Sequence, residues 1–378
     1  MNRAYKYRLY PNKAQQTLLN KTMGSCRFYW NNLVATFNSY DKENNPNPQF
    51  KTQKKLKEEY EWLSEVSAAA LQQKMQDFRE FQKQLFSKNR KKSIGRPNFK
   101  KKSNRQSYRL PNQKFKVLED KIQLEKIGKV KMVIDRPIPE DAKFVLVTVS
   151  KNCAGQYFVS ICVETHINQK NKTNETVGID LGLKEFATLS DGVVVANPRY
   201  FRENQSKLKR MQQHLSRKQK GSKRKEKCRL KVAKIHNDIA NQRSNFLHNT
   251  TSMLVNNYDI ISIEDLNVKG MMANHKLAKS IADVSFHEFR RQLEYKCLWY
   301  GKELVVIGRF EPTSKTCSCC GWKNDNLTLK DRTFSCKGCG LEIDRDLNAA
   351  YNIKRLGVES LNERREGCYK LDEAFKMN

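Results

Sequence analysis

Residues 177–197, VGIDLGLKEFATLSDGVVVAN, decide how the chain is read. Apolar residues lead to Asp180, a turn follows, and a second apolar run ends at Asp191–Gly192, a pair that marks a hairpin turn before a third strand. Toward the C-terminus, residues 207–234 are helical and very basic, with thirteen Lys or Arg and one acid, Glu226. YDIISIEDL (258–266) reads as a buried strand with carboxylates at its carboxyl edge. SFHEFRRQLEYKCLWYGK (285–302) is an amphipathic helix and ELVVIG (303–308) another strand. DRDLNAAYNIKRLG (344–357) opens a closing helix, with Gly357 expected as its stop.

Three strands, helix, strand, helix, strand, helix is the order of an RNase H-like domain, here with a cysteine-rich insert before the last helix. That order brings three acids together: Asp180 at the end of the first strand, Glu264 at the end of the fourth, and Asp346 at the start of the last helix. Phosphodiester hydrolysis at neutral pH needs an activated water and a neutralised leaving oxygen, which two Mg²⁺ ions about 4 Å apart supply when carboxylates converge on them. Hard oxygen ligands suit Mg²⁺, and the sequence has no histidine cluster to suggest another metal. Asp265 and Asp344 are close competitors. Glu264 is preferred by its place at the strand edge, and Asp346 because Asp344 fits an N-cap.

Cys317, Cys320, Cys336 and Cys339 give C-x2-C-x15-C-x2-C, the spacing of a four-thiolate zinc ribbon, with Gly321 and Gly340 after the pairs for tight knuckles. Cys319 breaks the spacing and is read as a bystander. Cys26, Cys153, Cys162, Cys228, Cys297 and Cys368 are scattered and are expected to be small buried side chains. The ribbon has two readings at this point: nucleic-acid contact or positioning of the catalytic helix, or stabilisation of a small insert.

Upstream, residues 1–10 alternate as a strand closed by Pro11, residues 13–87 carry helical apolar spacing, and 143–165 form a hairpin turning near Asn152 and Gly155. Residues 88–105 hold nine Lys or Arg and no acid and read as a phosphate-gripping loop. Over 378 residues, 72 Lys plus Arg against 40 Asp plus Glu leave a net charge of +32, which a nucleic-acid backbone would neutralise. No apolar run reaches the ~20 residues of a membrane span. The N-terminus lacks the apolar core of a signal peptide, so a cytoplasmic chain with reduced cysteines is expected.

GIDLGLKEFATLSDG, SIEDLNVKGMM, the run from KLAKSIADVSFHEFRRQLEYKCLWYGK through TSKTCSCCG, and CKGCGLEIDRDLNAAYNI closely resemble the TnpB family. The family is encoded by bacterial insertion sequences and related to type V CRISPR effectors. The resemblance covers most of residues 1–357 and is densest from 177 onward. It implies an RNA-guided DNA endonuclease of α+β multidomain architecture, with a RuvC-type nuclease domain carrying an inserted zinc ribbon, a β-rich wedge and a helical recognition part. It implies a guide RNA from the transposon end, a target DNA, and a short target-adjacent motif read by the protein, with no membrane or small-molecule substrate and a place near the bacterial nucleoid. Carried over by position, the catalytic triad falls on Asp180, Glu264 and Asp346, and the zinc ligands on Cys317, Cys320, Cys336 and Cys339. The wedge would take 1–10 and 96–170, the recognition part 11–95, the nuclease 171–311 and 343–378, and the ribbon 312–342. Ile343 departs from the histidine that many members carry. An RNA-guided repressor without cleavage and a DNA transposase are the alternatives, and the three intact acids argue against the first.

Overall fold

The computed structural model describes residues 1–378 apart from 41–42, 44–46, 88–93, 104, 329 and 377–378. Part of the stretch 88–105 read as a phosphate-gripping loop, residues 88–93 and 104, lies outside the described residues. The chain divides into two compact units, Met1–His166 with Arg229–Lys234, and Ile167–Cys228 with Ile235–Asn378. No helix among the described residues is long and apolar enough to cross a membrane.

The first unit runs β1 (Asn2–Tyr10), α1 (Lys13–Asn38), α2 (Gln53–Glu59), α3 (Ala68–Phe86), β2 (Gln106–Pro111), β3 (Phe115–Val117), β4 (Lys121–Leu124), β5 (Gly128–Val133), β6 (Lys143–Lys151) and β7 (Tyr157–Glu164). The strands form one antiparallel sheet in the order β2-β6-β7-β1-β5-β4-β3. Period-two alternation in β1 follows from its central place, which buries Tyr5, Tyr7 and Leu9 on one face. Asn12 starts α1 with a reciprocal capping box to Gln15, satisfying two backbone donors. Leu19, Met23, Cys26, Trp30 and Leu33 recur at helical spacing along α1 and are buried, and the Trp30 ring meets Phe78 of α3 edge-on at 5.5 Å.

The second unit runs β8 (Thr176–Leu181), β9 (Glu185–Leu189), β10 (Val194–Ala196), α4 (Tyr200–Ser216), α5 (Lys223–Asn257), β11 (Ile260–Glu264), α6 (Val268–Met271), α7 (Ala278–Val284), α8 (Phe286–Tyr300), β12 (Glu303–Ile307), β13 (Thr333–Ser335), β14 (Glu342–Asp344) and α9 (Arg345–Lys376). Its sheet has the order β10-β9-β8-β11-β12. The β8–β9–β10 part is antiparallel, turning at Gly192 (φ +88), and β8, β11 and β12 are parallel. Parallel neighbours need a crossover, which α4 and α5 provide between β8 and β11. The basic stretch 207–234 is thus two helices broken near Gly221, whose φ of +85 suits a residue without Cβ.

Two readings are corrected here. Gly357 does not stop the last helix: α9 continues to Lys376. A Cβ at Gly357 would collide with the Ser262 side chain of β11, and one at Gly178 of β8 with the α9 backbone at Ala350 and Lys354. Both glycines let helix and sheet approach closely, which is a packing demand rather than a capping one. Cys153 is exposed, because it occupies the turn between β6 and β7. Cys26, Cys228 and Cys297 are buried, Cys162 is half-buried, and the Cys368 side chain lies outside those described.

Candidate active site and cysteine cluster

Parallel pairing puts Ile179 beside Ile263, so Asp180 and Glu264 follow at the carboxyl ends of adjacent strands. Ligand sites of open α/β sheets form at such strand ends. The start of α9 supplies the third acid. Asp344 accepts from the backbone N–H of Asp346 at 2.9 Å and of Leu347 at 3.1 Å, which is the N-cap role read from the sequence. Asp346 then sits in the first helical turn, where the helix dipole favours negative charge. Its carboxylate receives Arg345 Nη2 at 3.0 Å, with Arg332 Nη1 at 3.8 Å.

Electrostatics link the three. Burial first, then the charges of Glu264 and Asp346, push the Asp180 carboxyl up to about 8. Burial also raises Glu264, whose Oε1 accepts a 2.6 Å hydrogen bond from the Thr313 hydroxyl. Asp265 differs: Arg290 and Arg309 reach it at 2.6 and 2.5 Å and hold its carboxyl below the usual range. Asp265 is thus committed to arginines, while Glu264 and Asp180 converge as like charges that a cation would relieve. The three do not close into a tight single-ion cage. Among the described residues, only the four cysteines bring their ligand atoms within 4.8 Å of one another.

Crowded carboxylates carry a stability signature. An acid whose folded pKa is raised, here from 3.8 to about 8, is held protonated in the folded state while the unfolded chain ionises, so stability falls as pH rises through that window. Asp180→Asn removes this liability. Without added Mg²⁺, its melting temperature should gain on the parent by several degrees between about pH 5 and pH 8. A gap independent of pH in paired melts would refute the electrostatic account.

The cysteine cluster fits one Zn²⁺. Sγ of Cys317 and Cys339 are 3.7 Å apart and those of Cys320 and Cys336 3.5 Å, near the ~3.8 Å expected between thiolates around a tetrahedral zinc. Cys319 is exposed and outside the group. The two knuckles repeat one geometry. Gly321 N–H donates to the Cys317 carbonyl and Gly340 N–H to the Cys336 carbonyl, both at 3.0 Å, with φ of +77 and +75. Phe334 of β13, fully buried with Cys317 and Cys336, gives the ribbon its small core.

Sequence reading missed two asparagines on α9. Asn348 accepts from Ser318 N–H at 2.9 Å and donates to the Thr316 carbonyl at 2.8 Å. Asn352 donates to the carbonyls of Thr313 and Thr316 at 2.8 and 2.7 Å. Both are essentially fully buried. They clamp residues 313–318 to the helix, so the first cysteine knuckle, α9 and the Thr313–Glu264 bond form one connected network. Their spacing of four, beside apolar Ala349 and Ile353, was the available signal: two amides on a buried helix face need partners.

Residues 160–275 match the IS605 OrfB family, described as "Probable transposase", and residues 286–353 a "Cas12f1-like, TNB domain". Residues 1–45 match a "Helix-turn-helix domain", although the described residues there form strand β1 and one long helix, α1. A protein of Streptomyces pristinaespiralis, provisionally named an RNA-guided DNA endonuclease, is 37% identical over 366 residues, covering 95% of this chain and 90% of its own length. One from Escherichia coli K12, provisionally named RNA-guided DNA endonuclease InsQ, is 32% identical over 377 residues, covering 94% and 92%. Among solved structures, that of a Cas12f1–sgRNA–target DNA complex aligns with a TM-score of 0.56 at 14% identity, over 94% of this chain and 98% of that one, and shares the fold. Fold and site together define an RNase H-like nuclease of RuvC type with a four-cysteine ribbon insert. The chain belongs to the TnpB family of RNA-guided DNA endonucleases.

Proposed function

We propose that this chain binds a guide RNA from its transposable element, recognises a short motif beside a matching DNA, and hydrolyses DNA with Mg²⁺ held by Asp180, Glu264 and Asp346. The observation that carries the chemistry is the convergence of those carboxylates, two from adjacent parallel strand ends and one from the first turn of α9. The donors are all hard oxygens, which fits Mg²⁺ better than a softer metal. When bound, Mg²⁺ supplies an activated water and charge neutralisation at the leaving oxygen. The chain's own residues hold the geometry: β8 and β11 fix Asp180 and Glu264, Thr313 orients the Glu264 carboxylate, and Arg345 steadies Asp346. Cys317, Cys320, Cys336 and Cys339 would hold Zn²⁺.

Domain roles belong to the same proposal. The β-rich wedge (1–10 and 96–170) and the helical recognition part (11–95) would handle guide and motif. Residues 171–311 and 343–378 would form the nuclease, with 312–342 as the ribbon. The chain would work in the bacterial cytoplasm at the nucleoid. Sequencing the RNA that copurifies with the full chain, then offering that complex matched DNA and Mg²⁺, tests the whole. A discrete transposon-end RNA and guide-dependent cuts are expected. Bound RNA without cuts would mean a guided binder, and no discrete RNA would refute the reading.

RNA affinity should fall steeply with salt, because each phosphate neutralised by Lys or Arg releases a counterion. Residues 207–234, spread over α4 and α5, hold thirteen such side chains. Replacing six of them by Gln should flatten the slope of log affinity against log salt by up to about four units, at ~0.7 for each single-strand phosphate no longer neutralised. An unchanged slope in binding titrations would make this stretch a solvated face.

A further inference from the structure

Phe310 is 93% exposed, on the loop between β12 and the first cysteine. Leaving such a ring in water forgoes the favourable burial of its apolar surface, and a floppy loop could tuck it away. This loop is tied at both ends to neighbouring residues of one strand end. Arg309 binds Asp265 through its Nη2 (2.5 Å to the carboxylate) and Nε (3.2 Å to the carbonyl), and the Thr313 hydroxyl binds Glu264. Backbone bonds from Thr313 N–H to the Glu311 carbonyl and from Thr316 N–H to the Pro312 carbonyl brace it further. At ~3.5 Å per residue, Phe310 stands within about 11 Å of the Thr313 anchor, and hence near the carboxylates.

The ground beside it is a cleft of about 420 Å³ lined by Glu264, Lys269, His287, Arg290, Arg291 and Arg309, among others. Three arginines and Lys269 line it; Arg290 and Arg309 pair with Asp265 and Arg291 with Glu288, and Arg309 belongs both to the cleft and to the Phe310 loop. The ring's immediate neighbours, Arg309 and Glu311, are charged and exposed. A lone aromatic among charges makes a poor apolar docking patch for a protein. A flat ring beside an arginine-lined cleft that borders the carboxylates matches single-stranded nucleic acid, whose phosphates arginines can bind and whose bases stack.

We propose that Phe310 stacks on an unpaired base of the strand that enters the carboxylate site, seating that strand next to the bond to be cut. This rests on the nuclease reading above. Phe310→Ala and Phe310→Leu should lower the cleavage rate on the order of tenfold, the scale of one lost base–aromatic stack, while Phe310→Trp keeps it. Leu retains apolar bulk without a π-face, which separates stacking from packing. A second readout does not need catalysis. Single-stranded DNA carrying 5-iododeoxyuridine, irradiated with the full chain in Mg²⁺-free buffer without chelator, should crosslink to residue 310 in the parent and the Trp variant but not in the Leu variant. Parental cleavage by the Leu variant, or crosslinks that map elsewhere in the parent, would overturn the proposal. A parent that leaves guided DNA uncut overturns the nuclease reading instead, and the Mg²⁺-free crosslink still decides Phe310.

Discussion

Asp180→Ala and Glu264→Ala should each slow guided DNA cleavage by on the order of a thousandfold or more, while guided binding stays within about twofold of the parent. Each substitution removes a proposed metal ligand worth several kcal/mol of transition-state stabilisation and touches no phosphate grip. Asp180 is the more informative of the two, since burial and two neighbouring carboxylates already hold its proton in the metal-free protein. Its removal should leave the fold intact, even stabilised in Mg²⁺-free buffer, so lost cleavage could not be ascribed to unfolding. Measuring single-turnover rates alongside DNA retention on the same preparations separates chemistry from binding. Cutting within about tenfold of the parent by either variant would remove that residue from the site.

Cys336→Ser or Cys339→Ser should release the zinc and lower cleavage by on the order of a hundredfold or more, while Cys319→Ser keeps both. Structural zinc contributes about 10–16 kcal/mol in small zinc folds, so a ribbon with one three-residue hairpin and one buried Phe cannot stay ordered without it. The loss would travel two ways. β14 runs straight into the Asp344 cap and Asp346, and the Asn348–Asn352 clamp joins residues 313–318 to the helix that bears Asp346. Through Thr313 the same clamp reaches Glu264. Catalytic groups tolerate only about 0.5 Å of misplacement, so two of three carboxylates would lose their setting. Metal analysis paired with cleavage assays decides this. Zinc-free protein that cuts at the parental rate would make the ribbon an independent insert.

What the sequence could show depends on the range of the cause. Asp191–Gly192 announces a hairpin because turn chemistry is local, and the apolar runs at Val177–Ile179 and Ile260–Ile263 announce buried parallel strands because their composition is. Strand ends then indicated Asp180 and Glu264, and a capping pattern separated Asp344 from Asp346. Gly357 misled, since a glycine late in a helical run has the same local signature whether it ends the helix or admits a neighbouring strand. Only the position of Ser262 distinguishes the two. The partners of Asn348, Asn352 and Thr313 could not be read for a related reason: the asparagines' spacing signals only that partners are needed, and those partners, like that of Thr313, lie 30 to 49 residues away, a distance no periodicity records.

The close seating of α9 on β8 has a consequence in time. Asp180 and Asp346 lie 166 residues apart, and the strand carrying the first has no helix to receive it until the second has been made. At roughly 5–20 residues per second, translation leaves β8 waiting about 8–33 s for α9. During that interval the ribosome-bound chain has already made its basic helices α4 and α5, which under the proposed function would gather RNA, but it lacks the full set of proposed catalytic carboxylates. A nuclease with this chain order therefore becomes able to cut only after it has had time to acquire what directs it.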